Sequence, residues 1–374
     1  MPAQQLFLRV RDLLCAQHKQ PVNELLTTLA LLVSGLILGR SVQLWEIALW
    51  IPWNIKLLSG VRRFERWLAD PQVKVADLFA PFARAMLATL GHETVYLILD
   101  CTQVGPCWRT LLASLAYHHT VLPLGWQSIA GKKGHVTAEF QKTLLIRIQP
   151  YLKAYRHVIV LGDAEYCNAT VITWVQEQGW DFVFHSRMRN LVRTADDPAW
   201  QPIAGIVNHS ELRPGQVRHW EQVCFTQEHR LAGLTLTIQW GLGEKEPLCL
   251  ISNLRAAQEP HVVYEQRFWI ETLFGSCKSR GFGLARTHLT IPEQIDRLIL
   301  ALALATYITL GLATHLVLTK QTHRVDRADR RDLSLFQIGW RWLHRLLALN
   351  RLQDLQLQFS WAFTLPKPGF HPAN

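Results

Sequence analysis

The segment Glu93–Gly105, ETVYLILDCTQVG, decides the fold class because it is a continuous apolar run that ends in a carboxylate, Asp100. Such a run, without polar alternation, is typical of a strand that is buried on both faces of a sheet. Up to about residue 90 the apolar residues recur instead at helical spacing. The change of pattern predicts a helical N-terminal region followed by a sheet.

The elements after this strand predict how the sheet is ordered. Two strand-like runs follow at 110–119 and 120–129, close enough together to pair antiparallel. A helix is predicted from about Val136 to Tyr155, and then HVIVLGD, a second buried strand that ends in Asp163. A helix near Ala169–Gln178 and the strand DFVFHSR complete the unit.

Three antiparallel strands, a helix, a strand, a helix and a strand are the order of the ribonuclease H-like architecture. Its first and fourth strands are neighbours, so we expect Asp100 and Asp163 to meet at one edge of the sheet. We therefore predict an α/β fold, with a ribonuclease H-like catalytic domain that carries a β-rich insertion and is preceded by an all-α N-terminal domain. The predicted divisions are 1–92, a helical DNA-binding domain; 93–189, the first part of the core; 190–254, the β-rich insertion; 255–350, the second part of the core; and 351–374, a C-terminal tail.

Composition narrows the class of partner. The 374 residues include 39 Lys and Arg against 29 Asp and Glu, a formal net charge of +10. That charge favours a polyanion, nucleic acid or an anionic membrane. The seven cysteines include no C-x-x-C pair, which favours a reducing compartment over a disulfide framework or a structural zinc site.

The run Leu298–Leu318 has 21 residues without a formal charge and meets the length criterion for a membrane helix. Tyr307, His315 and three threonines lower its hydrophobicity. We predict a helix buried inside a soluble domain and no membrane contact. The alternative is a membrane-anchored basic protein with an Arg-rich, lipid-facing tail, and that alternative leaves the strand-ending aspartates unexplained.

The segment YEQRFWIETLFGSCK (264–278) supplies a third carboxylate, Glu271. On an α-helix, which turns about 100° per residue, Tyr264, Arg267, Glu271 and Lys278 fall within roughly 60° of one another. The simplest interpretation is a solvated helix face on which Arg267 and Glu271 form an ion pair. A phosphate-binding stripe is the functional alternative.

Clustered carboxylates repel one another unless a cation lies between them. Asp100, Asp163 and Glu271 are therefore predicted to bind two Mg²⁺ ions, with which Mn²⁺ is interchangeable, because hard divalent ions favour oxygen ligands. Two such ions suit phosphodiester displacement. Glu165, two residues after Asp163, remains a rival ligand.

The signature segment resembles the Tyr-Arg-Glu-Lys signature of the insertion-sequence-4 family of bacterial DDE transposases, with gaps of two, three and six residues. LILDCTQV and VLGDAEY resemble the first and second Asp motifs of that family. The family has a β-rich insertion before the Glu, and often an Arg-Gly pair after the second Asp, where this chain has Ala164-Glu165.

The resemblance implies a cut-and-paste transposase that acts on terminal inverted repeats and target DNA, as a homodimer on DNA, in the bacterial cytoplasm at the nucleoid. It implies catalytic roles for the three carboxylates, whereas Tyr264, Arg267 and Lys278 would hold phosphates. Some members stack a flipped base on a tryptophan of the insertion, for which Trp240, Trp220 and Trp200 compete. A second predicted DNA contact is a basic cluster on a helix that stops before Pro71: Arg62, Arg63 and Arg66. The alternative of the same architecture is a nuclease without strand transfer, or a decayed copy that only binds DNA.

Overall fold

The computed structural model describes residues 2–91, 93–105, 107–131, 136–277, 281–327 and 331–363. Within these ranges the strands are β1 Thr94–Val104, β2 Trp108–Tyr117, β3 Thr120–Ala130, β4 His157–Gly162, β5 Asp181–His185, β6 Leu191–Arg193, β7 Gln201–Pro202, β8 Val217–Phe225, β9 Leu231–Gln239 and β10 Leu248–Ser252. The α-helices are α1 Pro2–His18, α2 Glu24–Gly39, α3 Leu44–Ala48, α4 Leu57–Ala69, α5 Val75–Thr89, α6 Ala138–Leu152, α7 Ala169–Glu177, α8 Ile203–His209, α9 Pro260–Tyr264, α10 Ile270–Cys277, α11 Pro292–Leu318 and α12 Leu335–Ala348.

One half of the sheet has the predicted arrangement. Its order is β3-β2-β1-β4-β5, with β1, β2 and β3 antiparallel and β1, β4 and β5 parallel. The first and fourth strands are therefore neighbours, as predicted. Because β1 and β4 run the same way, their carboxyl ends lie at the same edge of the sheet.

The β-rich insertion extends this sheet. Strand β10 pairs antiparallel with β5, and the order continues through β10-β9-β8-β6-β7. The described residues therefore form one mixed sheet of ten strands. The sequence analysis predicted strands in 190–254 but did not predict that they would join the central sheet.

Helix α11 is buried, as predicted for the run Leu298–Leu318. It is the one described helix that is long and apolar enough to cross a membrane, and 94% of its most apolar window is buried inside the protein. It packs against β3, α12 and α2. The Tyr307 hydroxyl donates a hydrogen bond to Pro123 O of β3 at 2.6 Å, so a polar side chain on this helix is paired inside the core.

The first part of the chain, residues 2–91, contains five helices and no strand among its described residues. Helix α4 ends at Ala69, before Pro71, as predicted. The buried Arg297 of α11 donates hydrogen bonds to Leu68 O and Val73 O, which ties α11 to the connection between α4 and α5. The apolar residues of these helices belong to the same hydrophobic core as the sheet, so the division into domains stays a prediction.

Candidate active site

Two of the predicted carboxylates stand side by side because of strand register. Leu99 of β1 pairs with Gly162 of β4, so Asp100 and Asp163 each come one residue after that pair. Neighbouring strands lie about 4.8 Å apart and laterally paired side chains point to the same face. The carboxylates therefore lie next to each other where β4 ends. The prediction that Asp100 ends its own strand is wrong, because β1 stays paired with β2 as far as Val104.

A single guanidinium joins these aspartates to Glu271. Arg267 Nη2 lies 3.2 Å from Asp100 Oδ2 and 3.9 Å from Asp163 Oδ2. Its Nη1 lies 3.4 Å from Glu271 Oε1. The pair of Arg267 and Glu271 that the simplest interpretation expected is present, and the same arginine also reaches both strand ends.

The signature segment is not one regular α-helix, so the expected even stripe is wrong in its first half. Helix α9 ends at Tyr264, residues Glu265–Trp269 form a 3₁₀ turn, and α10 starts at Ile270. A 3₁₀ turn advances about 120° per residue, which rotates Tyr264 away from the position that an α-helix would give. The Tyr264 residue is only 3% exposed, whereas the Glu271 side chain is 63% exposed.

Burial and neighbouring charges act on Asp100 in opposite directions. The pKa of this carboxyl is raised to about 6, chiefly by burial, and the negative charges of Asp163 and Glu271 act in the same direction. The Arg267 guanidinium and the Cys101 backbone N–H, which donates to Asp100 Oδ1 at 2.7 Å, lower that pKa. The site therefore holds buried negative charge that a cation stabilises.

The rival ligand, Glu165, has a backbone partner. Its carboxylate accepts a hydrogen bond from Val136 N, just before α6. Its own backbone N–H donates to Asp163 Oδ1 at 2.9 Å. In this arrangement Asp163 faces Arg267 while Glu165 holds the loop, although the choice of ligand stays a prediction.

The ligand atoms of the site are of the type that a hard divalent ion prefers. Asp100, Asp163 and Glu271 supply carboxylate oxygens, which Mg²⁺ prefers, and they already surround one positive charge. Within the part of the chain that the structure describes, no group of three His, Cys, Asp or Glu side chains is close enough together to hold a metal ion. Arg267 lies between the carboxylates, so binding an ion requires its guanidinium to move aside.

The other predicted DNA contacts differ in exposure. Lys278 lies outside the described residues. Arg62 and Arg66 are exposed on α4. Arg63 is half-buried, pairs with Glu24 at 2.5 Å and donates to Thr28 Oγ1, so it holds α4 to α2. Its role in DNA binding, like those of the other residues, stays a prediction.

The three candidate stacking tryptophans have contacts within the chain. Trp240 Nε1 donates to Glu244 O at 3.0 Å. Trp220 packs against the core, and Arg193 Cζ lies 5.4 Å from the centre of the Trp200 ring. These contacts agree with a packing role for each, and base stacking stays a prediction.

One polar residue of the same edge was missed in the sequence. Gly162 of β4 pairs with Phe184 of β5, so His185 comes beside Asp163, just as Asp163 comes beside Asp100. Burial lowers the pKa of His185, and the nearby Asp163 raises it. The signal was present, because DFVFHSR is another apolar run that ends in a polar side chain.

Residues 108–308 match the model of a protein family described as the transposase DDE domain, and this range covers more than half of the 374 residues. The chain belongs to this family. It is accordingly a DNA transposase of the DDE class, an enzyme of transposition and DNA recombination. The match includes Asp163 and Glu271 and begins after Asp100.

Among solved structures, the chain is similar to a piggyBac transposase in a synaptic complex with hairpin DNA. The identity is 12%, the TM-score is 0.40, and the alignment covers 93% of this chain and 78% of that chain. The comparison with curated proteins gave no match.

Proposed function

We propose that this transposase cuts DNA at the ends of its own element and joins the freed ends to a target, in the manner of the insertion-sequence-4 family. The observation that carries the proposal is the convergence of Asp100, Asp163 and Glu271 on Arg267. Two carboxylates at one sheet edge and a third on the adjoining helix, in a basic chain, suit phosphodiester chemistry on a polyanion.

In this proposal the carboxylates and Arg267 have separate roles. Asp100, Asp163 and Glu271 would hold two Mg²⁺ ions, which when bound supply polarisation of the phosphate and stabilisation of the leaving oxygen. Strands β1 and β4 fix the two aspartates, so the reacting phosphate is placed against a rigid edge. Once displaced from the carboxylates, the Arg267 guanidinium can pair with a phosphate oxygen through its planar fork.

The nucleophiles in this proposal are water for cleavage and then the freed 3′-hydroxyl for joining, so no covalent link to the protein forms. Tyr264 is buried and packs edge to face on Phe268, and in this proposal it would help Arg267 to position a phosphate. Lys278 would hold a further phosphate. The partners are terminal inverted repeats and target DNA, with a homodimer on DNA in the bacterial cytoplasm.

The test is cleavage of the DNA that flanks the gene. A supercoiled plasmid carrying both flanks, incubated with the protein and Mg²⁺, should acquire nicks at defined positions, and chelation should prevent them. Asp163→Asn should abolish nicking and keep DNA binding, whereas Glu165→Gln should keep both.

Two results would contradict the proposal. Defined nicks that persist in chelator would remove the metal-dependent step. Loss of nicking in Glu165→Gln with retention in Asp163→Asn would move the ligand to the rival carboxylate and break the strand-edge site.

A further inference from the structure

The connection between α3 and α4, with the ends of both helices, exposes an unusual amount of apolar surface. We call residues 45–58 the tryptophan loop. Isolated exposed apolar residues are ordinary, but a contiguous group marks an interaction surface. Seven large hydrophobic side chains of this loop are exposed: Trp45, Leu49, Trp50, Trp53, Ile55, Leu57 and Leu58.

The loop is held in place by close packing. A Cβ added at Gly39 would lie 3.0 Å from Trp50 Nε1, so this ring rests directly on α2. The Trp53 ring meets Phe7 of α1 edge to face, with ring centres 5.4 Å apart. A Cβ at Gly60 would meet Ile51 at 2.7 Å. The tryptophans are therefore presented to solvent by a built surface.

The positive charge of this surface favours a polyanion as its partner. Residues 45–66 contain Lys56, Arg62, Arg63 and Arg66 against Glu46 and Glu65, so the stretch is net positive. Lys56, Arg62 and Arg66 are exposed within or beside the loop, whereas Glu46 already pairs with Arg286. A two-fold contact that paired this surface with itself would place the net positive charge of both copies in one interface, which is unfavourable. A polyanion meets the same cations favourably.

The loop is continuous with a groove that reaches the turn after β1. Trp45 and Arg66 line this groove, of about 580 Å³, together with His288. The adjoining Thr287 O would lie 3.2 Å from a Cβ placed on Gly105, in the turn that follows β1. Strand β1 carries Asp100, so the groove begins beside the strand that forms the site.

We propose that the tryptophan loop binds DNA with unpaired bases, which stack on Trp45 and its neighbours while Lys56, Arg62 and Arg66 hold the phosphates. Stacking on aromatic side chains requires exposed base faces, which a blunt duplex does not offer along its length. This inference rests on the proposed function, because DNA opened beside a cut end supplies such bases.

The experiment measures fluorescence anisotropy of a labelled single-stranded 20-mer and of the matching blunt duplex with the full chain. Trp45→Ser, whose native residue is 49% exposed, should weaken single-strand binding about tenfold, because a stacking ring is lost. Leu58→Ser, at a residue 69% exposed, should weaken it by less, and both variants should leave duplex binding unchanged. The matched control is Leu242→Ser, 83% exposed in the turn after β9, which should change neither. Thermal unfolding confirms that each variant is folded.

The remaining outcomes are each decisive. Native single-strand affinity in both loop variants overturns the inference. A loss of dimer in light scattering, or a loss of binding to anionic vesicles, without a loss of single-strand binding assigns the loop to a second copy or to a membrane surface and also overturns it. Plasmid nicking is scored in parallel, so that failure of the proposed function shows as absent nicks in the native chain.

Discussion

The candidate site combines carboxylates on two kinds of backbone. Asp100 lies within β1 and Asp163 directly follows β4, the adjacent parallel strand. Their side chains are 14% and 39% exposed. Glu271 lies in the first turn of a short helix, and its side chain is 63% exposed. The hydrogen-bonded register fixes the aspartates relative to each other, while the contact described for Glu271 is the 3.4 Å ion pair with Arg267.

This difference separates two requirements of a metal site. The strand edge supplies two oxygen donors whose spacing does not depend on side-chain partners. The helix supplies a third donor that can move, and the arginine on the same segment balances the charge of all three. The positions of the two aspartates were predictable from the strand pattern. The position of Glu271 depends on its contact with Arg267, which only the structure reveals.

The largest expected effect tests whether Glu271 is needed for cleavage although its side chain is exposed. Glu271→Gln should reduce plasmid nicking by at least about 100-fold, because several kcal/mol of stabilisation depend on the bound ions. The free energy of unfolding should change by less than about 1 kcal/mol, as for other exposed ion pairs. Nicking assays and urea unfolding measure the two effects. Nicking at the native rate would restrict the site to the two strand-borne aspartates.

The next effect concerns the charge balance. Arg267→Met should lower the free energy of unfolding in chelator by about 2 kcal/mol, because three carboxylates lose their shared cation. Added Mg²⁺ should raise the melting temperature more in this variant than in the native chain, since binding to the folded state stabilises it. Arg267→Lys keeps the charge and serves as the control. An unchanged stability in chelator would show that the guanidinium contacts contribute nothing.

The sequence predicted most of what the strands determine. Apolar runs that end in Asp100 and Asp163 gave both the strands and their order, because a buried strand needs apolar residues on both faces. The buried state of α11 followed from the threonines and the tyrosine within its apolar run. These features depend on local pattern and on a few rules of strand order.

Features that depend on distant contacts were not predictable. The 3₁₀ turn at 265–269 has residues that also suit an α-helix, so tertiary packing decides between the two. The pairing of β10 with β5 joins the insertion to the sheet through residues that are far apart in the chain, such as Leu250 and His185. The tryptophan loop has the composition of a core, and only the fold shows that nothing among the described residues covers it.

A smaller effect is expected at His185, which lies beside Asp163 at the same edge of the sheet. His185→Ala should lower nicking at saturating DNA about tenfold, because groups that surround a ligand such as Asp163 affect metal binding and activity by 10- to 100-fold. The apparent affinity for Mg²⁺ should fall in parallel, whereas the affinity for DNA should not. His209→Ala, exposed at the end of α8, is the control. A loss of DNA affinity alone would make His185 a phosphate contact.

The smallest expected effect tests whether a carboxyl outside the candidate active site also has a raised pKa. Asp296 of α11 is a second carboxyl whose pKa burial raises from 3.8 to about 6, although hydrogen bonds from Ser128 and the charge of Arg147 lower it. Because the folded pKa lies above the unfolded value, the folded state prefers the neutral carboxyl. The resulting contribution to stability is complete below about pH 4 and is lost as pH rises through about 6.

Asp296→Asn removes this dependence. Above pH 7 the variant should therefore be more stable than the native chain by about 1–2 kcal/mol. This is less than the roughly 3 kcal/mol that a pKa of about 6 in place of 3.8 would give for a carboxyl without solvent access. Urea unfolding in chelator from pH 4 to 8 should show the difference between the chains growing with pH. Asp12→Asn, whose native side chain is 58% exposed, should show no such trend. A difference that stays constant with pH would show that the burial of Asp296 does not make stability depend on pH.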